Sequence, residues 1–266
     1  MQLDKLKDKL PTTHWVLIDN LSQILESLSI NSEPIFAFKQ HKDPRKFYNS
    51  YIDFALSIYV DKFKQLYNSL AQSLLSEQYI IYAQSGRSII ENAATLRYFS
   101  RQKEFVELFS SWQGTGYNME LHKSAIMLLD RLARGSRFSW DAFIEGRFND
   151  LSKIPDQEHL SQTNIKTCLT HWQKDSPNLE SLYDLFCDLV HPNLGSNFLV
   201  LKTLKGELVA GGNEGENISM FIICPTLAGI IGAYKTIQES LLKLEGYKLA
   251  DVRGITTIVP SSNIWH

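Results

Sequence analysis

The stretch "SGRSIIENAATLRYF", residues 85–99, decides the fold. At about 100° per residue, Ile89, Ile90, Ala93, Ala94 and Leu96 fall on one arc, joined by Ala83 just upstream. That is the spacing of a helix with one buried face. Gly86 falls near the middle of the arc, where a side chain is expected. A glycine inside a helix costs about 1 kcal/mol against alanine, and the close approach of another helix explains it. Arg87 and Glu91 are four residues apart at one margin of the arc, the separation at which helical side chains pair. Two readings follow. The pair is a boundary ion pair worth little, or Glu91 holds a guanidinium that is aimed at an anion in a groove.

Helical spacing continues on both sides of this stretch. Trp15, Leu17, Ile18, Leu21, Ile24, Leu25 and Leu28 mark a helix over 13–30. Pro34 and the polar run "KQHKDP" read as a loop, after which Asp43 caps a helix and Pro44 takes its first position. Phe47, Tyr51, Phe54, Ala55, Ile58, Phe63, Leu66 and Leu70 keep that helix going, and the aromatics Phe47, Tyr51, Phe54 and Tyr59 read as core. A helix over about 77–102 contains the opening stretch. Shorter ones are expected at 104–112, 118–134 and 138–150, separated by Gly114, Gly116 and Gly135. Residues 156–191 read as a helical hairpin turning at "DSPN", with Ser176 as cap and Pro177 at the first helical position.

After Pro192 the texture changes. "FLVLKTLKGELVAGG" reads as a β-hairpin turning at Lys205-Gly206. "GGNEGEN" is an acidic loop, and a last long helix follows. The expected fold is mainly α: one helical domain over 1–266, a multi-helix bundle. A small β-hairpin insertion at about 197–210 precedes a final helix at about 219–245 and a tail at 250–266. No internal repeat or low-complexity tract interrupts it.

The bulk numbers agree with that fold and exclude some functions. The chain has 266 residues, 44% of them hydrophobic, which is ample for a buried core. Its 27 basic and 29 acidic residues leave a net charge of −2, so no global basic field announces nucleic acid. The N-terminal "MQLDKLKDKLPTTHW" lacks the apolar centre of a secretory signal. The longest apolar run, "MFIICPTLAGIIGAY", is interrupted by Pro225 and is short for a bilayer. Three scattered cysteines make no disulfide framework. The expectation is a cytoplasmic protein with reduced thiols and no membrane contact.

A second stretch bears on chemistry: "LVHPNLGSN", residues 189–197. The helix "LESLYDLFCDLVHP" carries its apolar stripe on Leu179, Leu182, Leu185, Phe186, Leu189 and Val190, and His191 lies off that stripe in the last turn. A histidine there is favoured by the helix dipole, which is a structural reason for it. The same place, rigid and at the mouth of a loop, suits an imidazole that moves protons near neutral pH. Asn193 and Ser196 add hydrogen-bonding groups beside it.

Cys168-x2-His171 with Cys187-x3-His191 resembles a zinc set in spacing alone. In a helical hairpin the two histidines differ in level by roughly 13 Å at 1.5 Å per residue, so no metal site is expected. Gly114 and Gly116 in "WQGTGYN" lack the dinucleotide-binding spacing. Arg131, Arg134 and Arg137 form a small basic cluster at a helix end, either complementing the dipole or touching an anionic partner.

The pairing of "GRSIIENAATLRYF" with "YDLFCDLVHPNLGS" resembles a loose group of bacterial helical proteins with R-S-x-x-E and V-H-P motifs, some related to the HEPN (higher eukaryotes and prokaryotes nucleotide-binding) fold. The resemblance rests on Arg87, Ser88, Glu91, Tyr183, His191 and Pro192 and covers about 75–200. HEPN proteins that cut RNA carry Arg-x4–6-His on one helix. Here Phe186, Leu185 and Asp184, five to seven residues before His191, stand at the arginine positions, and none is an arginine.

The resemblance implies a metal-independent ribonuclease without cofactor, a toxin or antiphage protein that acts on RNA as a homodimer. His191 would be the acid or base, and Arg87, oriented by Glu91, would stabilise the phosphorane. Asn193, Ser196 and Tyr183 would be binding groups. The alternative is a non-catalytic binding or regulatory module acting with a protein partner, in which Arg87, Glu91 and His191 form a structural polar network. A third reading is a nucleotide-type pocket between Arg87 and His191.

Overall fold

The computed structural model describes residues 3–30, 42–114, 116–136, 138–150, 162–212, 214–217 and 219–250. The expected loop around Pro34, the start of the expected hairpin at 156–161, Arg137 and the tail beyond residue 250 lie outside them. The described residues form a mainly α bundle, with a small antiparallel sheet just before the last long helix.

The opening stretch lies in α3 (Tyr79–Ser100), the centre of the bundle. It packs against α2 (Pro44–Leu75), α7 (Ile165–Gln173), α8 (Leu179–Val190) and α10 (Met220–Glu245). Ala83, Ile89, Ile90, Ala93, Ala94 and Leu96 are all fully buried. Gly86 is where two helices close on α3. A Cβ built there would lie 2.6 Å from Cε1 and Cζ of Phe186 on α8, and 2.9 Å from Cδ1 of Ile230 on α10. Gly229 plays the same part between α10 and Leu182 of α8. α1 (Trp15–Ile30), α4 (Lys103–Gly114) and α5 (Met119–Arg134) complete the bundle around α2, α3 and α10.

Polar anchors fix these helices in register. The Asp43 carboxylate accepts from the Arg45 amide at 2.9 Å and caps α2, with Pro44 at its start. Tyr67 on α2 donates to the Ile230 carbonyl at 3.0 Å, and the Tyr82 hydroxyl on α3 lies 2.9 Å from that of Thr226 on α10. Arg97, only 4% exposed, donates to the His171 carbonyl at 3.0 Å and pairs with Asp175, which Arg101 also meets at 3.0 Å. That cluster ties the end of α3 to the α7–α8 turn.

Several local expectations change. The helix expected over 138–150 is broken: α6 (Trp140–Ile144) stops short, and a 3-10 turn, Phe148–Asp150, follows Gly146 at φ 72°. Ser176 does not cap α8. Its amide closes the end of α7 on Trp172 O at 3.2 Å, so α8 starts at Leu179 after Asn178, without a side-chain cap. The hairpin is narrower than 197–210, because Leu194–Phe198 forms a short helix, α9.

β1 (Leu201–Leu204) and β2 (Glu207–Ala210) pair antiparallel around Lys205 (φ 54°) and Gly206 (φ 84°), a two-residue turn with both residues left-handed. β3 (Glu216–Asn217) adds to the other edge of β1, inside the stretch expected to be a loop. The apolar run around Pro225 is also longer than its sequence showed. Phe221–Glu245 is long and apolar enough to cross a membrane by length and composition. In the fold it is a core helix, burying Ile223, Leu227, Ile230, Ala233, Ile237, Leu241 and Leu244.

Candidate functional site

Along one side of α3 the bundle opens into a cleft of about 440 Å³. Arg87, Glu91, Thr95 and Phe99, spaced four apart, form its floor as one stripe, which runs for about 18 Å at 1.5 Å per residue. Tyr59 and Lys62 enter from α2, Arg131 from the end of α5, Gln162 and Thr163 from the approach to α7, and Tyr183 from α8. Among the described residues three cationic side chains therefore line the cleft with one carboxylate.

Arg87 is held in place on two sides. Its Nε donates to Glu91 Oε1 at 3.0 Å, and its guanidinium carbon lies 5.8 Å from the centre of the Tyr183 ring. The Tyr183 hydroxyl donates to the same Glu91 oxygen at 2.9 Å. Burial, then the bond to Glu91, pushes the phenol pKa up to about 12, so it remains a donor across the physiological range. The carboxylate takes only the Nε–H of Arg87, which leaves terminal N–H donors for a ligand. Both members of the pair keep about a third of their side chains in solvent, 28% and 34%, so the pair itself adds little stability.

Lys62 sits with its ammonium 4.7 Å from the centre of the Tyr59 ring. The surrounding protein lowers its pKa by desolvation, although the residue keeps contact with solvent. Thr163 Oγ1 is buried and has no hydrogen-bond partner among the described residues. Arg134, a neighbour of Arg131 in sequence, is not part of the cleft. Its guanidinium grips Asp130 at 2.5 and 2.6 Å, and Tyr51 donates to the same carboxylate.

The structure brings Arg87, Glu91 and Tyr183 together and leaves His191, Asn193 and Ser196 elsewhere. His191 is exposed at the C-terminal end of α8 and does not line the cleft. Asn193 and Ser196 are engaged in capping α9. The Asn193 side chain accepts from the Ser196 amide at 3.3 Å, and the Ser196 hydroxyl lies 3.2 Å from the Asn193 amide. Asn193 also donates to Asp188 at 2.5 Å. Lys62 and Thr163 carry no local sequence signal that marks them for a site. Tyr59, expected to be core, is 2% exposed and also forms a wall of the cleft.

Among the described residues no group of three His, Cys, Asp or Glu side chains could hold a metal ion. Burial pushes the Cys168 thiol up to about 11, away from the thiolate a metal would need. No protein-family model, curated protein or solved structure matches the chain.

Proposed function

We propose that the chain is a binding module whose cleft takes an anionic ligand, with Arg87 as its principal grip. One observation carries this reading: Lys62 and Arg87 face one cleft, with Arg131 at its edge, and the one carboxylate among the described lining residues, Glu91, is already engaged in holding Arg87. A guanidinium fixed by a carboxylate on one edge loses little freedom when its other donors meet a phosphate or carboxylate. The polar walls, with Asn92, Thr95 and Gln162, supply further hydrogen-bonding groups. The test is thermal unfolding with and without inorganic pyrophosphate. The wild type gains a concentration-dependent rise in Tm. Arg87→Ala, folded to the same helix content, gains none. An equal rise in both proteins contradicts the reading.

The ribonuclease implied by the HEPN resemblance uses the same cations and adds proton transfer at His191. It takes second place because His191 does not line the cleft and no other histidine does among the described residues. RNA left intact by the purified protein in EDTA closes it. RNA cleaved by wild type and by neither His191→Ala nor Arg87→Ala restores it.

A further inference from the structure

Resting on the anion-binding reading, we infer that the ligand of the cleft is a phosphorylated sugar, its phosphate on the cations around Arg87 and its hydroxyls read by Glu91 and Thr163. The cleft volume of about 440 Å³ falls within the range of roughly 300–1,000 Å³ that holds drug-sized molecules. A bare phosphate fills only a fraction of it. Charge points the same way. A phosphate monoester carries about −1.5 to −2 charges at neutral pH, opposite Lys62 and Arg87, with Glu91 the one carboxylate among the described lining residues.

Glu91 then limits what accompanies the phosphate. Its Oε1 accepts from both Arg87 and Tyr183, while Oε2 has no hydrogen bond among the described residues. A carboxylate oxygen only accepts, and it repels an anion beside it. The group next to Oε2 must therefore be a donor, such as a hydroxyl. The buried Thr163 Oγ1 asks for a partner as well, and a buried hydroxyl left unpaired costs stability until one arrives. Asn92, Thr95 and Gln162 add further amides and hydroxyls to the wall.

The ring faces argue against a nucleobase inside the cleft. Tyr59 and Phe99 are each 2% exposed, and the Tyr59 ring is occupied by Lys62. The Tyr183 ring is 7% exposed and carries Arg87 over it, so among the described residues no open aromatic face is left there for a base to stack on. A free sugar phosphate and the ribose phosphate end of a nucleotide share the chemistry that remains; in the second case the base stays outside.

The experiment is calorimetric titration of the wild-type chain with inorganic phosphate, ribose, ribose 5-phosphate and AMP, repeated on Glu91→Gln and Thr163→Val. In the wild type, ribose 5-phosphate binds at least roughly tenfold tighter than phosphate, the size of one or two good hydrogen bonds, and ribose alone does not bind. Each variant shrinks the ratio between ribose 5-phosphate and phosphate. The ratio cancels the effect of the lost Glu91 charge on anions in general, and Thr163→Val removes a hydroxyl with little change of shape. AMP binding as tightly as ribose 5-phosphate identifies the nucleotide as a source. AMP excluded while ribose 5-phosphate binds identifies a free sugar phosphate.

Three results overturn the inference while leaving the anion site standing: phosphate and ribose 5-phosphate of equal affinity, both variants with an unchanged ratio, or AMP far tighter than ribose 5-phosphate. If no phosphorylated compound binds the wild type, the anion-binding reading itself falls.

Discussion

Substituting Gly86→Ala tests the packing that places Arg87. In an exposed helix this change stabilises by about 1 kcal/mol, because glycine has more chain entropy to lose. At Gly86 the new methyl would meet the Phe186 ring at 2.6 Å and Ile230 at 2.9 Å, against a comfortable carbon–carbon distance of about 3.5–4.0 Å. Neither neighbour can swing into solvent, since both are fully buried. Relief must come from shifting α8 or α10 away from α3 by about 1 Å. Overpacking of this kind costs about 1–3 kcal/mol. With contacts on two sides, the upper part of that range applies. Less the gain in helix propensity, the expected loss is about 1–2 kcal/mol. For a chain of this size that corresponds to a fall in Tm of roughly 2–8 °C. Urea unfolding followed by circular dichroism measures it, and a double-mutant cycle with Phe186→Leu assigns it. The double variant should be more stable than the sum of the two single losses, because the smaller side chain makes room. A Gly86→Ala protein more stable than wild type would refute the close approach of α8, and with it the placement of Tyr183 against Glu91.

Other substitutions give separate checks. Asp175→Asn weakens the anchor of Arg97 and lowers Tm at neutral pH. The hydrogen bond from Arg97 holds the Asp175 carboxyl below its ordinary range, so its contribution is present above the unfolded pKa and is lost as pH falls through the folded one. A stability profile for the variant that keeps the wild-type acid limb would contradict this. Tyr51→Phe leaves the Asp130 carboxylate, 7% exposed, without one of its donors and should cost about 1–3 kcal/mol in chemical unfolding; no measurable loss would show that the other partners of Asp130, Arg134 among them, suffice. Asn193→Ala breaks the capping box of α9, with an expected loss of about 0.5–2 kcal/mol and unchanged pyrophosphate binding, and a loss of binding at full stability would return the "HPNLGS" turn to the site.

Local rules carried the sequence reading furthest where one residue type had one explanation. Gly86 on an apolar arc pointed to a close neighbour, and Phe186 and Ile230 are there. Lys205-Gly206 turns as a two-residue hairpin with both residues at positive φ, which glycine adopts freely and lysine at a steric cost. Arg87 and Glu91 pair at 3.0 Å, as their spacing allows. The misses have physical causes as well. α9 is a five-residue helix held by one capping box, too short for any apolar period to show. β3 is two residues long and exists only through its pairing with β1. The cleft joins Lys62 to Arg131 and Thr163 across about 100 positions of sequence, and no local spacing encodes that convergence. Arg131 was noticed as one of a basic cluster, yet its neighbour Arg134 is taken up by Asp130. His191 stood out in sequence because it ends an apolar helix before a proline. In the structure that same position carries it out of the cleft.

The most direct measurement is where an anion settles. Crystals of the protein soaked in selenate, a phosphate-like anion located by its anomalous scattering, should show a peak in the α3 cleft within hydrogen-bonding reach of Arg87 and beside Lys62 or Arg131. Crystals of Arg87→Ala should lack it. Selenate bound only outside the cleft, or bound there equally without Arg87, would contradict the account.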